Sequence, residues 1–287
     1  MRRKHLLLLT AAASLLGALL LALLGAALVV HAGWYSVAAT EQHWQPTFSL
    51  LETAMRQSVQ RRAREIAVPQ GLGEPAFVLR GAACFRDKCV QCHGAPGVAH
   101  GDIGKSMQPL PGPLVDARQR WQAAELYWLT RHGIRMSGMP AWQHRLTEEE
   151  IWSIVAFLQQ LPDLSAPQYA QVLAKAAPAP ACGQVLQADP QRLLPAQAQR
   201  GRQALQQYAC NACHRIPGAT GADVHVGPPL QGLAGRALIA GTLPNTNANL
   251  IRWLRETQQV KPGTAMPQLD VSAQDAADIA AYLLSLE

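Results

Sequence analysis

The chain has 287 residues, room for about two small domains, with 49% hydrophobic residues, only 15% charged residues and a net charge of +6. That charge is uneven: residues 1–70 hold seven Lys/Arg against three Asp/Glu, 71–165 hold nine of each, and 197–287 hold seven against six. A nucleic-acid binder carries its basic patch on its folded domains, so these near-neutral halves argue against nucleic acid as a partner and place the basic excess beside an apolar N-terminus.

Leu6–Val30 is 25 residues without a charge. As a helix it is about 37 Å long at ~1.5 Å per residue, enough to cross a hydrocarbon core of ~30 Å with some tilt. Arg2, Arg3 and Lys4 mark its short end as cytoplasmic, and Trp34, Tyr35 and Trp44 stand where an interfacial aromatic belt would sit. The reading is a transmembrane anchor over 1–33. A cleaved signal peptide has a shorter apolar core, although the small residues Ser36–Thr40 keep cleavage open; both readings export the rest of the chain. The next segment, 34–70, is predicted to hold a second helix within 40–66. Pro46 opens it, Leu50, Leu51, Ala54, Met55, Val59 and Ala63 form a loose apolar stripe, and Arg56, Arg61, Arg62 and Arg64 fill other faces. Such a helix suits a bilayer surface or a partner subunit.

Beyond it the chain repeats itself. "CVQCH" (Cys89–His93) and "CNACH" (Cys210–His214) are two copies of one string. Zinc fingers place their histidines a dozen or more residues after the cysteine pair, whereas Cys-x-x-Cys-His is the c-type haem attachment string: two thiols add to the two vinyl groups, and the following histidine reaches the iron. Each string has a Met-Pro pair downstream. Met139 lies 46 residues past His93 and Met266 lies 52 past His214, matched spacings that make these thioethers the candidate sixth ligands. Met136 competes with Met139, which alone precedes proline, a residue that suits a loop rather than a helix. The repeat also covers helices. Gly81 and Phe85 precede the first string as Gly201 and Leu205 precede the second, on one helical face in each case. After each Met-Pro comes a capped apolar helix, opened by Thr147 with Glu150 and by Ser272 with Asp275. Ile154, Phe157 and Leu158 correspond to Ile279, Tyr282 and Leu283.

This layout resembles class I cytochromes c over about 71–165 and 197–287. The resemblance implies an all-α fold: a transmembrane helix, then two cytochrome c domains at 71–165 and 197–287 separated by an Ala/Pro-rich linker at 166–196, with one helix expected around Tyr169–Ala176. It implies two covalently bound c-type haems, held by Cys89 and Cys92 and by Cys210 and Cys213, with iron ligands His93 and Met139 in the first domain and His214 and Met266 in the second. "VGPPLQG" (226–232) resembles the family loop whose proline carbonyl accepts from the proximal histidine, which points to Pro228, and Arg236 and Trp253 fall where the family contacts a haem propionate. The first half departs from this pattern: Gly112 stands where a Pro-x-Leu alignment wants proline, leaving Pro111 or Pro113 for that role.

Two cysteines are left over. Cys84 and Cys182 lie in an exported chain where a disulfide is permitted, and a buried free thiol at Cys84 is the alternative. The leading functional reading is electron transfer: a single-pass protein of the inner membrane with its haem domains in the periplasm, taking electrons from a quinol-oxidising complex or dehydrogenase and passing them to an oxidase, reductase or soluble cytochrome. The alternatives are the cytochrome subunit of an alcohol, aldehyde or sugar dehydrogenase, and a di-haem peroxidase, which needs an iron with an openable sixth position.

Overall fold

The computed structural model describes residues 2–177, 181–183, 193–221 and 223–286. Helix α1 (Arg2–His31) holds a candidate membrane span, Arg3–His31, with none of its apolar stretch buried against the protein. A helix that is apolar all round has no face suited to water.

Helix α2 (Gln45–Ala63) starts with proline in its first turn, where the missing N–H costs nothing. The sequence left it between a bilayer and a partner; the structure seats its C-terminal half on the chain's own first domain. Val59 and Ala63 are buried, the Arg56 guanidinium lies 4.7 Å from the Trp121 ring centroid, and Arg56 Nη1 donates to Arg120 O at 3.3 Å. The apolar stripe at 55, 59 and 63 is what docks.

The first domain is built on α3 (Pro75–Lys88), α4 (Ala123–His132), α5 (Glu148–Gln160) and α6 (Ala166–Ala176). Helices α3 and α5 cross at Gly81, where an added Cβ would lie 1.8 Å from Ser153 O, and Phe85 and Phe157 pack beside that crossing with centroids 5.3 Å apart. Thr147 and Glu150 cap α5 reciprocally. Helix α6 carries buried Tyr169 and Ala176 into the same core, so 166–176 packs as part of the first domain's core. Of the rest of the expected linker, 178–180 and 184–192 lie outside the described residues. Between them Cys182 forms a disulfide with Cys84, and Gly183 N donates to Glu150 Oε1 at 3.0 Å.

The second domain repeats the crossing with α7 (Ala198–Gln207), α8 (Asn247–Arg255) and α9 (Ala273–Leu283). A Cβ on Gly201 would lie 1.9 Å from Asp278 O. The buried Asp278 carboxylate accepts from both Arg200 Nε and Nη2, at 2.7 and 2.8 Å, so its charge is paired. The strand content among the described residues is one antiparallel pair of two-residue strands, Leu238–Ile239 with Leu243–Pro244. The fold is all-α in class. The domains meet where Arg145 stacks over Tyr208 at 5.2 Å and its Nη2 donates to Gln207 O.

Candidate haem sites

Each Cys-x-x-Cys-His string follows a long helix and makes one tight turn. In the first domain α3 ends at Lys88, Val90–His93 forms a single helical turn, and Gly94 stops it at φ 64°. In the second, Ala209 at φ 53° swings the chain into the turn Cys210–Ala212. His93 N bonds to Cys89 O and His214 N to Cys210 O, both at 2.9 Å. Residues three and four apart on such a turn share a face, so both thiols and the imidazole of each string are presented together. The four thiols are not in disulfides. Burial pushes Cys89 up to about 12 and Cys210 up to about 11, which keeps both as neutral thiols.

His93 Nδ1 lies 2.7 Å from Gly112 O and His214 Nδ1 lies 2.7 Å from Pro228 O. A carbonyl only accepts, so Nδ1 carries a proton in both rings, the tautomer that directs Nε2 toward a metal. Burial also lowers the His93 pKa from its ordinary value, against the Gly112 bond, which favours the neutral imidazole a metal requires. In the first domain the acceptor is thus the carbonyl of Gly112 and neither Pro111 nor Pro113: the bond uses backbone oxygen, so a proline ring is not needed. Beside His214 the loop leaves no space for a side chain, since a Cβ on Gly227 would lie 2.4 Å from the ring's Cε1.

These acceptors put the two loops in register, Gly112–Arg120 with Pro228–Arg236, and bring out a residue that the sequence reading missed. Arg236 Nη2 donates to the carbonyl after the acceptor, Pro229 O, and to Gln231 O. Arg120 Nη2 donates to the carbonyl after the other acceptor, Pro113 O, at 3.0 Å. Arg120 is therefore the first domain's counterpart of Arg236, eight residues past its acceptor in each copy. The signal was present as a common Pro-Leu step and an arginine six residues beyond that leucine. Trp253 is buried in the second core beside Leu250 and Leu254.

Met266 is half-buried against that second core, and its loop is held by Gln258, whose Nε2 donates to Thr264 O at 3.0 Å and Met266 O at 2.7 Å. Met139 is half-buried, its N–H donates to Ser137 Oγ, and its carbonyl accepts from Ile134 N. Met136 is 93% exposed with φ 60°, pointing away from any packed surface. Met107, unremarked in the sequence, lies against the same loop, with Sδ 2.5 Å from where a Gly138 Cβ would be. The buried Cys84, Cys182 and Glu150 also cluster, but their two sulfurs are bonded to each other. Two thiols and an imidazole whose Nδ1 donates to a loop carbonyl, in each domain, form a donor set that fits a c-type haem, with the Met139 and Met266 thioethers as the further donors each half of the chain offers. When bound, each haem supplies an iron that takes up and gives back one electron.

Comparison with known proteins agrees. Residues 76–158 match the family described as cytochrome c oxidase, cbb3-type, subunit III, and residues 198–287 match the family cytochrome c. Both halves are cytochrome c-type domains. The chain is a di-haem cytochrome c with an N-terminal apolar helix fitted to a membrane anchor. A 91-residue stretch is 38% identical to cytochrome c oxidase subunit 2 of Alkalihalophilus pseudofirmus; it covers 31% of this chain and about a quarter, 26%, of that relative. Among solved structures, the reducing HAO-like protein complex of Kuenenia stuttgartiensis aligns with 77% of this chain and all of its own at 18% identity, with a TM-score of 0.25.

Proposed function

We propose that this cytochrome is an electron carrier anchored in the inner membrane, with both haem domains in the periplasm, and that it delivers electrons to a terminal oxidase. The carrying observation is that two separate domains repeat one arrangement: an attachment string, an imidazole whose Nδ1 is tied to a loop carbonyl at 2.7 Å, and a Met-Pro loop. In this reading Cys89 and Cys92 hold the first haem and Cys210 and Cys213 the second, with iron ligands His93 and Met139, and His214 and Met266. Pro228 orients His214, while Arg236 and Trp253 shape the second pocket. Two six-coordinate irons leave no substrate position, which is the design of a carrier. The oxidase as acceptor draws support from the names of the first domain's family and of the Alkalihalophilus pseudofirmus relative, both oxidase subunits. The test is re-oxidation of the reduced, purified protein by membranes of its own cells. Fast re-oxidation abolished by an oxidase inhibitor is expected; re-oxidation that is insensitive to the inhibitor and needs an added soluble reductase with its own electron acceptor would overturn the oxidase assignment.

A further inference from the structure

The loops that reach the two proximal histidines are fastened differently. In the second domain Gly227 N donates to Cys213 O at 2.8 Å, so the residue before Pro228 is tied to the attachment turn itself. The equivalent residue in the first domain is Pro111, which has no N–H to give. Its carbonyl instead accepts from His100 Nε2 at 3.1 Å. Three consecutive carbonyls are thus held by three side chains: Pro111 by His100, Gly112 by His93 and Pro113 by Arg120.

His100 stands on a rigid base. Gly101 N donates to Gln91 O at 2.9 Å, Ala95 and Val98 exchange backbone bonds, and Gly104 lies so close to the attachment turn that a Cβ there would be 2.7 Å from Cys92 O. The residue at the same distance past His214 is Gly221, which has no side chain to offer. The imidazole therefore replaces, in one domain only, a backbone tie that proline removed.

We propose that His100 is a positioning residue for the first haem: it holds Pro111–Gly112 so that Gly112 O keeps the Nδ1 proton of His93. The inference rests on reading His93 as that iron's ligand. A carbonyl that accepts from Nδ1–H raises the basicity of Nε2, which favours the ferric iron and lowers its reduction potential. Loss of His100 loosens that acceptor and raises the potential of the first haem alone.

The experiment is a redox titration of the full-length holoprotein and its H100A and H100Q variants, with each haem followed through its own hyperfine-shifted methyl resonances. H100A shifts the first haem upward and leaves the second unchanged. H100Q returns the first toward the unmutated value, because the glutamine amide donates to the same carbonyl. In the unmutated protein the His100 Nε2 proton exchanges with water more slowly than that of free imidazole, a readout that stands even if H100A fails to assemble. Unchanged potentials in H100A, or a fast-exchanging His100 Nε2 proton, would overturn the proposal while leaving the ligand reading intact. A His93 ring without hyperfine shift would end the ligand reading and this one with it.

Discussion

Cys84 in α3 and Cys182 beyond α6 are joined across 98 residues of chain, and their bond lies beside the buried carboxylate of Glu150. The cross-link closes a loop that runs from the C-terminal part of α3 through the first attachment string, α4 and α5 to the segment beyond α6. Closing a loop of that size restricts the unfolded chain and is worth about 2–5 kcal/mol. The double variant C84A/C182A should therefore lower the first domain's stability by roughly that amount and leave the second domain's unchanged, as read from urea denaturation followed at each haem. Alkylation without reductant should label neither cysteine in the unmutated protein.

Glu150 makes the same region acid-sensitive. Burial pushes its pKa up, but the Thr147 and Gly183 N–H groups and Arg80 outweigh this and hold it below its ordinary value. A folded-state pKa below the unfolded one, about 4.3, contributes stability that is present above that pH and is lost as pH falls through the folded value. The first domain should lose stability as pH drops below about 4. E150Q should be less stable at neutral pH by about 1–3 kcal/mol and should lose this acid leg. Denaturation midpoints measured from neutral pH down to pH 3 check both.

The helix crossings predict a paired effect. At Gly81 and Gly201 an added methyl would meet a carbonyl oxygen at 1.8 and 1.9 Å, too close for adjustment by side chains alone. G81A should destabilise the first domain and G201A the second, each by about 1–3 kcal/mol as in other overpacked sites. Differential melting of the two haem environments separates them.

Much of this was readable in the residues and some was not. The strings, the Met-Pro loops and the caps Thr147 and Ser272 use side chains with one evident purpose, and both caps accept the expected backbone N–H. Gly112 was obscure because its role belongs to a carbonyl that any residue has. Arg120 became visible only when the histidine acceptors set the register of the two loops. The docking of α2, and the addition of α6 to the first core, depend on tertiary contacts that local periodicity does not specify, since an apolar stripe such as Met55, Val59 and Ala63 fits a lipid surface as well as a protein one.

The uncharged stretch within α1 predicts an integral membrane protein. Alkaline carbonate washing should leave the full-length chain in the membrane pellet. A soluble mature chain beginning near Ala39 would contradict the anchor.

The central claim is that each domain closes its own iron with a methionine. The decisive measurement is ferric spectroscopy of the full-length protein beside M139A and M266A, with carbon monoxide added to the reduced forms. Both haems of the unmutated protein should be low-spin, should show the weak far-red thioether-to-iron band at an intensity fitting two irons, and should resist carbon monoxide. M139A should open only the first haem and M266A only the second. An unmutated protein with one high-spin haem that binds carbon monoxide and turns over peroxide would contradict the account.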